Sequence, residues 1–177
     1  MTHSLDTLLI GIDLTPASLE GAAWTARTFA PDARLILAHA LDTRPILRFF
    51  APSMAERKTE EIRAEVGARL AELRETYGAD RVEVRFSDGS VGGELARLAA
   101  ELNVDAIAVG AHREADTGDL LGSAGSTLLG QATVPVLMAH QLPDHPPTRI
   151  LAAVDESDSR SEVLSWANTL AERFDAT

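Results

Sequence analysis

The 177-residue chain has an ordinary globular composition, with 45% hydrophobic and 24% charged residues. Its formal net charge is −11, and because an acidic surface repels phosphates, the protein is not expected to bind nucleic-acid backbones or anionic membranes. It contains no cysteine, which excludes disulfides, thiolate metal sites and cysteine nucleophiles. Its apolar runs are too short to span a bilayer and no secretory leader is visible, so we expect a cytoplasmic protein.

The first part of the chain follows a pattern of strand, helix, strand, loop. The apolar run Leu8–Ile12 has no polar alternation, which is typical of a strand covered on both faces. Thr15 followed by Pro16 predicts a helix start, because a hydroxyl can cap the helix and the first turn does not use the N–H that proline lacks. Arg34–Ala40 predicts a second buried strand, and the two prolines within Asp42–Met54 predict a loop.

The next part alternates in the same way and predicts three more strands. A long amphipathic helix with a stripe at Ile62, Val66, Leu70 and Leu73 ends at Gly78. The alternation in Arg81–Phe86 predicts an edge strand. The remaining predicted elements are a helix around Leu95–Leu102, a buried strand at Ala106–Val109, a polar loop at Ala111–Asp119, a short helix at Gly122–Gln131 and a fifth strand at Val134–Ala139.

This alternation predicts an α/β fold of the doubly wound, Rossmann-like class. Right-handed crossovers between strands give a mostly parallel five-stranded sheet with helices on both faces. Such sheets bind ligands beyond the carboxyl ends of the strands, at the point where strand order reverses. That rule places Asp13, Ala40 and the loop that starts at Gly110 at the candidate site.

The last segment repeats the opening of the chain. Ile150–Val154 is again an apolar run, and the triplet Asp155–Ser157 matches Asp13–Thr15. A tryptophan follows each aspartate after 11 residues, and the chain contains only two tryptophans. We therefore predict a domain at 1–142, a proline-rich linker at 143–148 and a partial second repeat of strand and helix at 149–177. This unit is either a truncated tandem repeat or a unit exchanged with a partner protomer.

Several of these segments together resemble the universal stress protein family. The strand, Asp13–Thr15 and Trp24 match its opening, and His39-Ala40 matches the end of its second strand. The stretches GELARLAAELNVDAIAVGAH and LLGSAGSTLLGQATVPVLMAH match its later helices and strands. The resemblance implies a homodimer paired through the fifth strand, Val134–Ala139, and a possible ATP site. It also implies that Asp13 hydrogen-bonds the adenosine part of the ligand and that Ala40 offers backbone groups to the adenine edge.

The phosphate-binding pattern of the family is only partly present. Its ATP-binding members carry Gly-x-x-Gly, a spacer and then Gly-Ser or Gly-Thr; Gly110 and Gly122-Ser123 fit the two ends. Arg113 replaces the second glycine, and the spacer is one residue short. Arg113 would either block the phosphate or hold it with its guanidinium group. Gly122 and Ser123, at a helix N-terminus, would offer N–H groups and a hydroxyl to an anion.

Other polar residues near this loop have two possible roles each, one in ligand binding and one in the structure alone. His112 would contact phosphate when protonated or would simply be exposed, and Ser126 would extend the phosphate cradle or pack against the sheet. Asp13 and Gly110 likewise have structural alternatives to ligand binding. Asp13 would cap the following helix, and Gly110 would simply be a glycine at the end of a strand. His39 is interpreted as a histidine of the core. No spacing of histidine and carboxylate residues indicates a metal site, so the only metal we expect is Mg²⁺ accompanying a nucleotide.

Two functional hypotheses follow, and neither is enzymatic. The first is a stress-response regulatory protein that binds ATP or a related adenine nucleotide without appreciable turnover. The second is a nucleotide-independent module that acts through dimerisation. Slow ATP hydrolysis is a third alternative, for which the sequence offers no nucleophile elbow and no Walker loop.

Overall fold

Five parallel strands form one sheet in the order β3-β2-β1-β4-β5 in the computed structural model, which describes residues 3–110, 122–140 and 142–177. The predicted parallel α/β architecture is confirmed. Arg81–Phe86 was predicted as an edge strand, and β3 does lie at an edge of the sheet; the fifth strand begins two residues later than expected. The strands are β1 (Thr7–Gly11), β2 (Arg34–Leu41), β3 (Val82–Asp88), β4 (Ala106–Gly110) and β5 (Val136–Ala139).

Helices cover both faces of this sheet. One face packs against α1, its π-helical continuation and α3, and the other packs against α4 and α5. Within the part of the chain that the structure describes, no helix has the length and apolarity needed to cross a membrane. The helices are α1 (Pro16–Trp24, continued by a π-helical segment at Thr25–Phe29), α2 (Arg44–Phe49), α3 (Pro52–Tyr77), α4 (Val91–Glu101), α5 (Gly122–Gln131) and α6 (Arg160–Phe174).

Strand β1 is the centre of the fold. It lies between β2 and β4, and Leu8, Leu9 and Ile10 are at most 1% exposed. Leu8 and Ile10 pack toward α1 and α3, whereas Leu9 packs toward α4 and α5. The unbroken apolar run is explained by this double covering, because a strand with a helix layer on each side has no face in water.

The prediction of a loop at Asp42–Met54 is wrong, because this segment is largely helical. It contains α2 and the start of α3, with Pro45 and Pro52 in the first turns of the two helices. Proline is favoured there, since the first helical N–H groups have no partner within the helix and its fixed φ suits the helix. The two prolines therefore mark helix starts and do not interrupt helices.

The strand predicted at Ile150–Val154 does not form. This segment pairs with no strand among the described residues, and the Leu151 side chain is 96% exposed. The turn after it does reproduce the first repeat: Asp155 Oδ1 accepts hydrogen bonds from the backbone and side chain of Ser157, and these bonds lower the pKa of Asp155. The predicted helix is present as α6. A complete second repeat is therefore not shown, and exchange of 149–177 with a partner stays a prediction.

Helix α6 docks on the opening unit of its own chain. The Trp166 indole stacks on the His3 ring with centroids 4.1 Å apart and an angle of 7° between the ring planes. Phe174 contacts Phe29 at 5.7 Å between ring centroids, and Arg173 Nε donates to the Phe29 carbonyl at 3.1 Å. Aromatic contacts and one capped carbonyl thus hold the C-terminal helix against the domain.

Helices α4 and α5 pack at a separation that requires glycine. A Cβ at Gly92 would overlap the Ala124 carbonyl oxygen and lie 2.7 Å from the Leu128 backbone nitrogen. We expect Gly92→Ala to lower the free energy of unfolding by about 1–3 kcal/mol, because backbone atoms must move apart. Gly130→Ala, in open space on α5, should raise it by about 0.5–1 kcal/mol. Denaturant unfolding measures both; equal effects would contradict the packing argument.

The docking of α6 predicts a local effect of Phe174→Ala. The variant removes the Phe174 ring that contacts Phe29, so the helix loses an aromatic contact of about 0.5–1.5 kcal/mol beyond its burial. Hydrogen exchange should therefore increase throughout α6 while the sheet stays protected. Leu164→Ala, at a 41% exposed position of the same helix, is the matched control. Unchanged α6 protection in Phe174→Ala would show that this contact does not hold the helix.

Candidate functional site

A cavity of about 270 Å³ opens at the carboxyl ends of β1, β2, β4 and β5. It lies where the strand order reverses around β1, as expected for a doubly wound sheet. Its walls come from strands and from helices on both faces of the sheet. The lining residues are Gly11, Ile12, Asp13, Ala38, Ala40, Val109, Gly110 and Met138 at the strand ends, and Ser18, Val91, Leu95, Ser123, Ala124, Gly125 and Leu128 on the helices.

The β1–α1 turn presents Asp13 at the cavity. Asp13 Oδ1 accepts hydrogen bonds from Thr15 N at 2.8 Å and from Thr15 Oγ1 at 2.6 Å. Thr15 Oγ1 in turn accepts from Ser18 N at 3.3 Å and caps α1. The capping role considered for Asp13 therefore belongs to Thr15, and the aspartate orders the turn while it lines the cavity. Asp13 is exposed, so its carboxylate faces solvent as well.

Ser18 is a cavity residue that the sequence reasoning missed. It is only 4% exposed, and its Oγ donates to the Thr15 carbonyl at 3.1 Å and accepts from Asp13 N at 3.3 Å. Ser18, Ala22 and Thr25 share the buried stripe of this helix. A polar residue on the buried stripe, directly after the helix start, is the pattern that could have identified it.

Neighbouring residues at the end of β2 have opposite environments. Ala40 is 8% exposed and lines the cavity, as predicted. His39 lies on the other face of the strand, where Nδ1–H donates to the Ile12 carbonyl at 2.7 Å and the ring meets Phe86 edge-on. His39 is thus a hydrogen-bonded but only partly buried histidine on the face of β2 that turns away from the cavity, so its interpretation as a core histidine holds for the hydrogen bond and not for the burial.

Gly110 lines the cavity, but its lack of a side chain also has a structural reason. A Cβ there would lie 2.5 Å from the Ala17 carbonyl oxygen and 2.6 Å from Ser18 Cα, both in the backbone of α1. Gly21 faces it from the helix, with Gly110 Cα only 3.2 Å from a Cβ built on Gly21. Of the two interpretations given for Gly110, close approach of a ligand and a strand-end glycine, these distances support the structural one and add its reason, the close packing of α1.

The N-terminus of α5 forms the opposite wall of the cavity. Gly122 begins this helix, and Ser123 and Gly125 line the cavity. Ser126 is exposed and is not among the described residues that line it. The N–H groups at the start of a helix favour an anion, so this wall suits phosphate, and Val91, the first residue of α4, also lines the cavity. His112 and Arg113 lie outside the described residues.

Comparison with known proteins identifies the group to which this chain is similar. The sequence profile of the Universal stress protein family matches residues 5–140. Universal stress protein A homolog 1 of Coxiella burnetii is 31% identical over 134 residues, which cover 73% of this chain and 92% of that protein. The profile covers the five-stranded domain and ends before the C-terminal segment.

Two solved structures carry nucleotides on the same fold. A universal stress protein in complex with cAMP is 26% identical with a TM-score of 0.50, covering 76% of this chain and 96% of that one. A universal stress protein family member from Arabidopsis thaliana with AMP bound is 14% identical with a TM-score of 0.55, covering 78% and 93%. At 14% identity, the similarity to the Arabidopsis thaliana protein shows only that the two chains share a fold.

The contact between Gly110 and α1 predicts that Gly110→Ala destabilises the protein without any ligand. The free energy of unfolding should fall by about 1–3 kcal/mol, because the helix backbone must move away. Gly67→Ala in α3 is the control: its Cβ would meet only Phe86 Cζ at 3.7 Å, so the helix should gain about 0.5–1 kcal/mol. If chemical denaturation finds Gly110→Ala as stable as wild type, close packing is not why glycine stands there.

Proposed function

This chain belongs to the universal stress protein family, and from that premise we propose that it is a stress-response regulatory protein that binds ATP or a related adenine nucleotide without appreciable turnover. The observation that supports this proposal best is the cavity at the reversal point of the sheet. It joins the N-terminus of α5 to the ends of β1 and β2.

The shape and chemistry of the cavity suit a nucleoside with phosphate at one end. Small residues, Ala38 and Ala40, leave room at the β2 end, and Val91 and Leu95 make that end apolar. At the other end, the start of α5 offers backbone N–H groups beside Ser123. Asp13 lies between these ends, at the tip of β1, where a sugar hydroxyl would be within reach of its carboxylate.

The nucleotide-bound relatives give independent support. One is described with cAMP and the other with AMP, and both share this fold. The two ligands have adenosine and phosphate in common. We therefore favour an adenine nucleotide as the ligand class over an unrelated small anion.

A second candidate is the nucleotide-independent module that acts as a homodimer through Val134–Ala139. Its support is the place of β5 at the edge of the sheet, where Val136, Leu137 and Met138 are each only half-buried. An apolar edge strand is prone to pairing with another strand. The two candidates are compatible, since the cavity lies at the strand ends and the pairing would use the strand edge.

The test of the proposed function is a binding measurement with a charge placed at the phosphate end. Nucleotide content after denaturation and ATP titration calorimetry should show binding by the wild type. Ser123→Asp, which adds a negative charge at the wall of the cavity, should weaken ATP binding about tenfold or more. Acidic residues suit the first turn of a helix, so the variant should fold.

Two controls make the result specific. Ser126→Asp adds the same charge one turn later, at an exposed position outside the described lining, and should weaken binding less. Adenosine, which has no phosphate, should bind wild type and Ser123→Asp equally. Empty protein that shows no heat with millimolar ATP would refute nucleotide binding and leave the dimerising module. Steady phosphate release from ATP would contradict the absence of turnover.

A further inference from the structure

The apolar segment Ile150–Val154 has one backbone edge that is already bonded at its start. The Thr177 N–H donates to the Thr148 carbonyl at 3.1 Å, and the Ile150 N–H donates to the Thr177 carbonyl at 2.8 Å. Two such bonds on either side of Arg149 follow the pattern of a parallel strand pair, which requires an extended chain at this point. The edge that faces Thr177 is therefore occupied where the segment begins.

The opposite edge of this segment is open. Along an extended chain the backbone groups of successive residues point to opposite edges, so those of Leu151 and Ala153 point away from Thr177. Neither residue makes a backbone hydrogen bond within the described part of the chain. Both residues are also exposed, Leu151 by 96%. An apolar segment with a free edge is a template for pairing with another strand.

A groove of about 540 Å³ runs along the same segment. Its walls come from the residues that lead into β5, from Ile150–Ala153 and from α6, and they are mostly apolar. A strand that joins the open edge would therefore also cover apolar side chains. Those that line the groove include Val134, Pro135, Leu151, Val163, Trp166 and Leu170.

The charges that flank the segment point to a second copy of this chain as the occupant. Arg149 stands three residues before Ala152 and Asp155 three residues after it, and both charged residues are exposed. When two copies pair antiparallel about Ala152, each Arg149 lies directly opposite Asp155 of the other copy. Opposite charges at directly opposed positions stabilise an antiparallel pair, whereas like charges destabilise it.

The same register fits the open edge. It places Leu151 opposite Ala153 of the other copy, and both of these residues have their backbone groups on the open edge. A two-fold axis requires a self-matched register, and the small side chain of Ala152 lies at the axis. A register centred on Leu151 or on Ala153 would separate Arg149 from Asp155.

We propose that Ile150–Val154 is a self-association surface, through which two copies of this chain form a dimer by antiparallel pairing about Ala152. This inference goes beyond the proposed function and requires no nucleotide. The interface differs from pairing through Val134–Ala139, which uses the edge of β5. It also differs from exchange of 149–177, because each α6 stays docked on its own chain.

The experiment is a set of charge reversals measured by sedimentation velocity. Wild type should be a dimer at micromolar concentration. Arg149→Asp and Asp155→Arg each place like charges opposite one another, so each should raise the dimer dissociation constant about tenfold or more. An equimolar mixture of the two variants should dimerise as the wild type does, because every opposed pair then has opposite charges. Such recovery also shows that both variants are folded.

The matched control for these variants is Arg57→Asp, which makes the same change of charge at an exposed position of α3. It should leave the dissociation constant within about twofold of wild type, because its charge lies outside the pairing. A monomeric wild type would overturn the proposal. A dimer that Arg149→Asp leaves intact, or a mixture that does not associate, would also overturn it.

Hydrogen exchange tests the strand pairing itself. The amides of Leu151 and Ala153 should exchange more slowly in wild type than in Arg149→Asp, because only the dimer bonds them. The amides of β1 should be equally protected in both proteins, since that strand lies inside each sheet. A wild-type dimer in which Leu151 and Ala153 exchange as fast as in Arg149→Asp would contradict pairing through this edge.

Discussion

Helix α1 lies on strand β4 at a distance that only glycine permits. Gly110 on the strand and Gly21 on the helix face each other, and a Cβ on Gly110 would meet backbone atoms of the helix within 2.7 Å. This approach holds the start of α1 at the point where the strand order reverses. Because α1 is fixed there, Ser18 within the helix and Asp13 just before it both reach the cavity. The geometry of the site therefore depends on this backbone contact.

The opposite wall depends on a similar contact between α4 and α5. Gly92 lets the two helices pack with backbone near backbone, which brings Leu95 and Leu128 to the same cavity. The result is a small space with apolar walls, a helix N-terminus at one end and polar side chains at few places. In such surroundings each hydrogen bond to a ligand is stronger than in water, so a few polar groups suffice for selectivity.

Much of this architecture could be predicted from the sequence, because strand and helix periodicities are local. Leu8–Ile12 has the unbroken apolar pattern of a strand buried on both faces, and the structure confirms it. The rule for reversal points placed Asp13, Ala40 and Gly110 at one edge, and all three line the cavity. Ser18 was missed although its place on the buried stripe of α1 carried a signal; the sequence does not show which distant segments close the cavity around it. Helix α2 was missed because prolines at helix starts resemble prolines in loops.

The C-terminal segment shows where local information ends. The sequence by itself determined the Asp155 turn and helix α6, since their hydrogen bonds join residues close in the chain. A strand needs a neighbouring strand for its hydrogen bonds. Ile150–Val154 has none in the part of the chain that the structure describes, although its sequence resembles β1. Only the tertiary structure decided that α6 would dock through Trp166 against His3, because that contact joins the two ends of the chain.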